Sequence, residues 1–311
     1  MGPQRVAVVQ AGATMFNTPQ TLERMQAHCE ELRRLGVGLA VFPEAYIGGY
    51  PKGLDFGARV GSRTPKGRDD FQRYWSSAID VPGPQVSQIG DMAKNAGAYL
   101  VVGVIERDGS TLYCTALFFD PQGELLGKHR KLMPTASERL IWGMGDGSTI
   151  PVLDTPLGKI GAVICWENYM PALRMSMYSK GITLYCAPTV DDREIWPTSM
   201  RHIAYEGRCF VLSASQFFKR SDCPADFDCI QGNAPETELI RGGSLIVSPL
   251  GEILAGPVYG REVILTADID PADAIRGKYD LDVTGHYARP EVFSLTVDER
   301  EKRPVRILRN A

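Results

Sequence analysis

The sequence predicts a layered α/β fold in which mixed sheets are covered by helices on their outer faces. Two observations carry this expectation. Apolar, strand-like runs alternate with segments of helical periodicity, and three Pro-Gly turns imply antiparallel hairpins beside the crossover units. With 311 residues, 44% of them hydrophobic, the chain is long enough to bury a large core.

Each element follows in order. Residues 5–10 form a short β-branched run, and Asn17-Thr18-Pro19 opens a helix with a capping side chain and a proline in the first turn. Leu22, Met25, Cys29 and Leu32 then recur at helical spacing until Gly36 ends the helix. Residues 37–42 are continuously apolar, as in a strand buried on both faces, and run directly into Pro43-Glu44. A second helix over 85–95 leads through Gly97 into a strand over 99–105. The turns Asp120-Pro121-Gln122-Gly123, Thr155-Pro156-Leu157-Gly158 and Ser248-Pro249-Leu250-Gly251 carry Pro second and Gly fourth, which suits a type I turn. Strands recur over 182–187, 209–214, 244–247 and 263–269. Because no Pro/Gly/Ser linker divides the chain, one domain is expected over 1–285. A tail over 286–311 follows, and its charged run Asp298-Glu299-Arg300-Glu301-Lys302-Arg303 is either a solvated end or an arm that docks on a neighbour.

Composition excludes several classes. A net charge of -3 with interspersed signs offers no basic stripe, so no nucleic-acid partner is expected. No apolar stretch reaches membrane-span length, and Met1–Gln10 lacks the long apolar region of a secretory signal, so the expectation is a soluble, cytoplasmic protein without a membrane partner. Seven scattered cysteines, an odd number, point to thiol chemistry and not to a disulfide framework. Cys223 and Cys229 lack the second cluster of a zinc knuckle, and the four histidines are dispersed, so no metal is expected. Gly143-Met144-Gly145-Asp146-Gly147 lacks the spacing, preceding strand and lysine of a phosphate loop, and reads as an ordinary flexible loop.

Cys165 is the most informative residue. It ends the apolar run Lys159-Ile160-Gly161-Ala162-Val163-Ile164 and precedes Trp166-Glu167-Asn168-Tyr169-Met170-Pro171, which places it where a buried strand gives way to a turn and a helix. Nearby helical N–H groups would there favour thiolate over thiol. The competing reading of a lone buried cysteine is a small apolar plug in the core. Glu44 follows its own apolar strand in the same manner, so the two side chains can share a cleft, although a carboxylate after Pro43 can also simply cap a turn. Lys131, in Gly127-Lys128-His129-Arg130-Lys131-Leu132-Met133-Pro134, follows the strand returning from the Asp120 turn and reads equally as a surface cation.

Three segments together resemble the signatures of the nitrilase superfamily, and its nitrilase branch in particular. They are Phe42-Pro43-Glu44-Ala45-Tyr46-Ile47-Gly48-Gly49-Tyr50-Pro51, His129-Arg130-Lys131-Leu132-Met133-Pro134-Thr135 and Cys165-Trp166-Glu167-Asn168-Tyr169-Met170-Pro171. The likeness continues through Tyr185-Cys186-Ala187-Pro188-Thr189, Met200-Arg201-His202-Ile203-Ala204-Tyr205-Glu206-Gly207 and Gly285-His286-Tyr287-Ala288-Arg289-Pro290, so it covers nearly the whole chain.

The resemblance implies an α-β-β-α sandwich, catalysis by Glu44, Lys131 and Cys165 without a cofactor, and Glu138 as a second glutamate near the thiol. It implies hydrolysis of an organic nitrile to acid and ammonia, with some amide by-product, by a homo-oligomer of the kind that builds spirals of dimers. The segment over 49–81 and the charged tail are candidate contact elements. Tyr50, Trp142, Trp166, Tyr169 and Trp196 stand close to the signature segments, where they can wall a pocket for an aryl or arylalkyl nitrile or serve as packing. Two alternatives stay open: an amidase or N-carbamoyl amine hydrolase using the same three residues, and an inactive assembly protein on this scaffold.

Overall fold

The computed structural model describes residues 3–302 and 305. Two seven-stranded sheets lie face to face. The first runs in the order Val263–Ile269, Gln4–Gln10, Leu39–Val41, Tyr99–Asp108, Thr111–Phe119 and Leu125–Arg130, with Ile79–Asp80 paired to the far end of Tyr99–Asp108. The second runs in the order Phe217–Lys219, Glu238–Val247, Phe210–Ser213, Leu184–Cys186, Gly158–Ala162 and Val152–Thr155, with Ile253–Tyr259 also paired to Glu238–Val247. The centre of each sheet is parallel and its flanks are antiparallel, which is the mixture the turns imply. All three turns close hairpins, with Gly123 N–H bonding back to Asp120 O and Gly251 N–H to Ser248 O.

Strand alternation builds four layers. Val8, Val41, Val101, Ile160, Leu184 and Leu212 face inward and form the core between the sheets. Their neighbours Ala7, Ala40, Leu100 and Val102 face outward and bury Leu22, Met25 and Leu32 of the helix Thr18–Arg34 and Ile89 and Met92 of the helix Pro84–Ala96. On the other side Val163, Tyr185, Val211 and Leu245 cover the helices Pro171–Ser179 and Ile195–Gly207. The result is an α-β-β-α sandwich. The helix ends behave as their residues dictate: the Asn17 side chain accepts the Gln20 N–H, and Gly36 and Gly97 take left-handed backbone angles just past their helices.

One segment differs from expectation, and two that were candidates for contacts between subunits also pack against their own chain. The Gly143–Gly147 stretch is pinned, not flexible: Gly143 N–H donates to Leu112 O and Gly145 N–H to Lys131 O, both at 2.8 Å, and a Cβ on Gly145 would collide with the Arg130 carbonyl. The segment over 49–81 is not merely an exposed contact element. It holds the helix Pro65–Ser77, whose buried Tyr74 donates to Gly49 O at 3.0 Å and accepts from Trp142 Nε1 at 3.2 Å. The tail folds back on its own chain, where Lys302 N–H donates to Asp146 Oδ2 at 2.6 Å and Glu299 pairs with Lys180. Arg303 of the charged run lies outside the described residues. Among the described residues, no helix is long and apolar enough to cross a membrane.

Candidate active site

Three chain reversals bring the polar residues together at one end of the sandwich. Glu44 follows the strand Leu39–Val41, and the next residue, Ala45, takes a left-handed φ of 50° that turns the chain sharply. Gly103 on the neighbouring strand makes room: a Cβ there would collide with Pro43 O and stand 2.8 Å from the Glu44 Cα. Lys131 follows the strand Leu125–Arg130, its N–H held by Cys114 O at 2.8 Å. Cys165 opens the 3₁₀ turn Cys165–Tyr169 with φ 51°, a conformation a non-glycine residue keeps only when its surroundings enforce it. They do so here, because Cys165 N–H donates to Pro188 O at 2.9 Å and Asn168 Nδ2 bonds both Val163 O and Cys165 O.

Lys131 is the hub. Its Nζ donates at 2.7 Å to Glu44 Oε1 and at 2.7 Å to Glu138 Oε2, and the Lys131 and Glu44 side chains are wholly buried. Glu138 lies in the 3₁₀ turn Ala136–Leu140. Its Oε2 also accepts the Thr135 N–H, and its Oε1 accepts the Tyr50 hydroxyl at 2.8 Å. Glu44 Oε1 further receives the Cys114 thiol at 3.6 Å, whereas Oε2 has no hydrogen-bond partner. The Cys165 sulfur accepts from Thr189 Oγ1 at 3.2 Å. It opens into a cavity of about 220 Å³ walled by Tyr50, Thr135, Glu138, Trp166, Val190 and Arg193, among others. An apolar pocket of about 310 Å³, lined by Met133, Pro134 and Met170, adjoins it at Thr135 and Trp166. A wider cavity of about 600 Å³ around Asp80, Arg107 and Lys128 contains none of these four residues.

Burial pushes the Glu44 carboxyl up from its ordinary value, opposed by Lys131 and reinforced by Glu138. Burial also works against the Lys131 ammonium, but Glu44, Cys165, Cys114 and Glu138 outweigh it and hold the amine well above the usual lysine range. Burial, followed by Glu44, drives the Cys165 thiol up, with Lys131 pulling the other way. This corrects the expectation of a helix-favoured thiolate: a short 3₁₀ turn in a buried position beside a carboxylate keeps the resting group a thiol. Burial and Glu138 likewise keep the Tyr50 hydroxyl protonated and able to donate.

The five aromatic residues separate into different surroundings. Tyr50 and Trp166 line the cavity. Trp166 is 41% exposed, its Nε1 donating to Asp191 Oδ2 at 2.9 Å and its ring covered by the Arg193 guanidinium. Trp142 stands behind the site, with its ring 5.4 Å from Lys131 Nζ and edge-on to Tyr50. Tyr169 and Trp196 do not line the cavity. Tyr169 sits between Trp166 and Trp196 near the surface, and Trp196, 1% exposed, packs in the outer core with its Nε1 donating to Ser213 Oγ. Trp196 is the second residue of the helix Ile195–Gly207 and packs into the outer core, which adjacency in sequence does not reveal. Thr189, Thr135 and Cys114 escaped sequence reasoning. Thr189 ends a recognised segment, Tyr185–Thr189, whereas nothing marks Cys114 locally. Among the described residues, no group of three or more His, Cys, Asp or Glu side chains is arranged to hold a metal ion.

A buried thiol and a carboxylate in the wall of a small cavity, the latter bonded to a buried ammonium, are the kinds of group that a thiol-dependent hydrolase uses for covalent attack followed by attack of water. The Carbon-nitrogen hydrolase family model matches residues 5–279. The chain is 58% identical to a nitrilase of Bradyrhizobium diazoefficiens, covering 97% of this chain and 94% of that protein. It is 56% identical to a bifunctional nitrilase/nitrile hydratase of Nicotiana tabacum, covering 97% and 88%. Among solved structures, the NitFhit protein of C. elegans matches with a TM-score of 0.76 at 18% identity, over 98% of this chain and 69% of that one. An amidase from Nesterenkonia sp. matches with 0.65 at 18%, over 88% and 92%. These two show the shared fold. The chain belongs to the carbon-nitrogen hydrolase family and, within the nitrilase superfamily, to the nitrilase branch.

Proposed function

We propose that the protein is a nitrilase that hydrolyses an organic nitrile to the carboxylic acid and ammonia. One structural observation supports the assignment of roles above all others: Lys131 Nζ sits 2.7 Å from both Glu44 and Glu138, and Glu138 lines the pocket that holds the Cys165 sulfur. The nitrile as substrate class rests on the identity with nitrilases.

Glu44 takes the thiol proton as general base while Cys165 Sγ bonds to the nitrile carbon, and passes that proton to the nitrogen to give a thioimidate. Lys131 stabilises the negative charge developing on that nitrogen, and later on oxygen, in a site with little water. Water adds to the thioimidate carbon, with Glu44 accepting its proton, and a tetrahedral intermediate forms. Expulsion of ammonia leaves a thioester, which a second water hydrolyses to release the acid and restore the thiol. If sulfur leaves the first tetrahedral intermediate instead, the amide is released. Glu138 holds Lys131, is itself held by the Tyr50 hydroxyl, and orients the water. Tyr50 and Trp166 supply the aromatic wall that meets the substrate side chain.

The enzyme works in a reducing cytoplasm, in keeping with seven unbridged thiols. It assembles as a homo-oligomer, a spiral of dimers, through contacts that include the segment over 49–81. Incubation with phenylacetonitrile, a dinitrile and the matching amides, with ammonia measured, tests the activity. Mass spectrometry with a slow nitrile should find the adduct on Cys165. Turnover of amides with none of nitriles would replace this reading with an amidase.

A further inference from the structure

Two buried ionisable side chains beside the site take no part in these steps. They are His129 and Glu167, each without exposed side-chain surface. His129 Nδ1 lies 2.5 Å from Thr149 O, and Nε2 lies 2.9 Å from Glu167 Oε2. A carbonyl oxygen can only accept, so Nδ1 carries a hydrogen. Glu167 Oε1 already accepts the Leu132 N–H at 2.6 Å, and Oε2 accepts the Ile164 N–H at 2.9 Å. Amide groups can only donate, so both Glu167 oxygens act as acceptors. Nε2 faces one of these acceptors and donates to it, so the ring carries both hydrogens and forms an ion pair with Glu167. Burial opposes that charge, but Glu167 and the Thr149 carbonyl outweigh it and hold His129 above its ordinary value, with Lys180 the charged group acting against them.

What the pair joins gives it meaning. Ile164 precedes the nucleophile, Leu132 follows Lys131, and His129 stands two residues before Lys131. The strand Leu125–Arg130 edges the first sheet, and the strand Gly158–Ala162, which leads to Cys165, belongs to the second. One carboxylate thus fastens the turn bearing the sulfur to both flanks of the lysine, across the gap between the sheets. Cys165 holds its left-handed backbone in that same turn.

We propose that the Glu167–His129 ion pair is a positioning clasp that fixes the Cys165 sulfur relative to the Lys131 ammonium, and so sets the rate of thiol attack. The inference deepens the thiol-hydrolase reading of this site and rests on it. Glu167 and His129 touch neither substrate nor reacting atoms; they act through the two segments they join.

Three variants test the clasp. His129→Asn keeps an amide in reach of Thr149 O but loses Glu167, whereas His129→Gln can place an N–H where Nε2 donates. Glu167→Gln removes the charge and confronts one backbone N–H with another donor. Two readouts serve: the rate of alkylation of Cys165 by iodoacetamide, followed on its peptide by mass spectrometry, and kcat and KM for phenylacetonitrile per alkylatable thiol. His129→Asn and Glu167→Gln should lose on the order of 10- to 100-fold in kcat and in alkylation rate, the cost of an ångström-scale misplacement, with KM little changed. His129→Gln should recover most of the loss. Folded variants with unchanged kcat per thiol and unchanged alkylation would overturn the clasp, as would His129→Gln faring no better than His129→Asn at equal melting temperature. Should Glu167→Gln not fold, the two His129 variants decide. If the parent hydrolyses neither nitrile nor amide while alkylation still follows the expected order, the nitrilase reading fails and the clasp stands.

Discussion

Replacing Lys131 by methionine keeps the stem and removes the charge that two carboxylates share. Nζ is bonded at 2.7 Å to each, with Lys131 and Glu44 wholly buried and the Glu138 side chain 11% exposed. Removing one member of a buried ion pair costs about 3–5 kcal/mol, because the charge left behind has no partner. Part of that cost is avoided if Glu44 takes up a proton, but a protonated Glu44 cannot then accept one from Cys165. Loss of a preorganised charge-stabilising donor costs about 10²–10³ in kcat, and loss of the general base about 10²–10⁴. The two losses overlap and do not multiply, so a fall of at least roughly 10³ is expected. Ammonia release at saturating nitrile measures the rate, and urea unfolding measures stability in Lys131→Met, in Glu44→Gln and in Lys131→Met/Glu44→Gln. The double variant should be more stable than Lys131→Met and no more active. A kcat within tenfold of the parent would refute the role of Lys131. A double variant destabilised by the full sum of the single changes would refute the shared-charge account.

Three further outcomes are expected. Cys165→Ala should abolish turnover while leaving the circular dichroism spectrum intact, and Glu44→Gln should lose most activity and slow alkylation of Cys165; normal turnover in either removes that residue from the mechanism. Gly103→Ala drives a methyl group into Pro43 O and the Glu44 backbone, so kcat should fall about 10²-fold and the melting temperature should fall with it, and full activity would show that this close approach is not required. His129 has a raised value in the folded state, so its contribution to stability is complete below its ordinary 6.5 and is lost as pH rises through the folded value. The unfolding free energy of the parent from urea titration should therefore decline over that window by up to about 1.4 kcal/mol per pH unit, and His129→Gln should flatten the slope. A parallel slope in both proteins would count against the imidazolium.

Much of the fold was legible because its signals are local. The Asn17 cap, the glycines at 36 and 97 and the three Pro-Gly turns each act within a few residues, and each appears where expected. Glu44 and Cys165 stood out because each follows an apolar run and lies in a signature segment, whereas Lys131 follows a polar strand and stood out only through its segment. The aromatic residues were less legible. Trp166 and Trp196 both lie near signature residues, but one faces the cavity and the other the outer core, since the direction of a side chain on a turn or helix depends on what packs against it.

The protonation of the site also needed three dimensions. Position after a strand suggested a thiolate; full burial beside Glu44 makes it a thiol that requires a base. Which residues can do chemistry, and which stretches become strand, helix or turn, is written locally in side-chain type, periodicity and turn geometry. That one ammonium is shared by two carboxylates far apart in the chain, and that Glu167 and His129 bridge the two sheets, emerges only when the chain packs in three dimensions. Those contacts depend on how two separate sheets register face to face, and burial, which sets the charge of each group, exists only once they have closed.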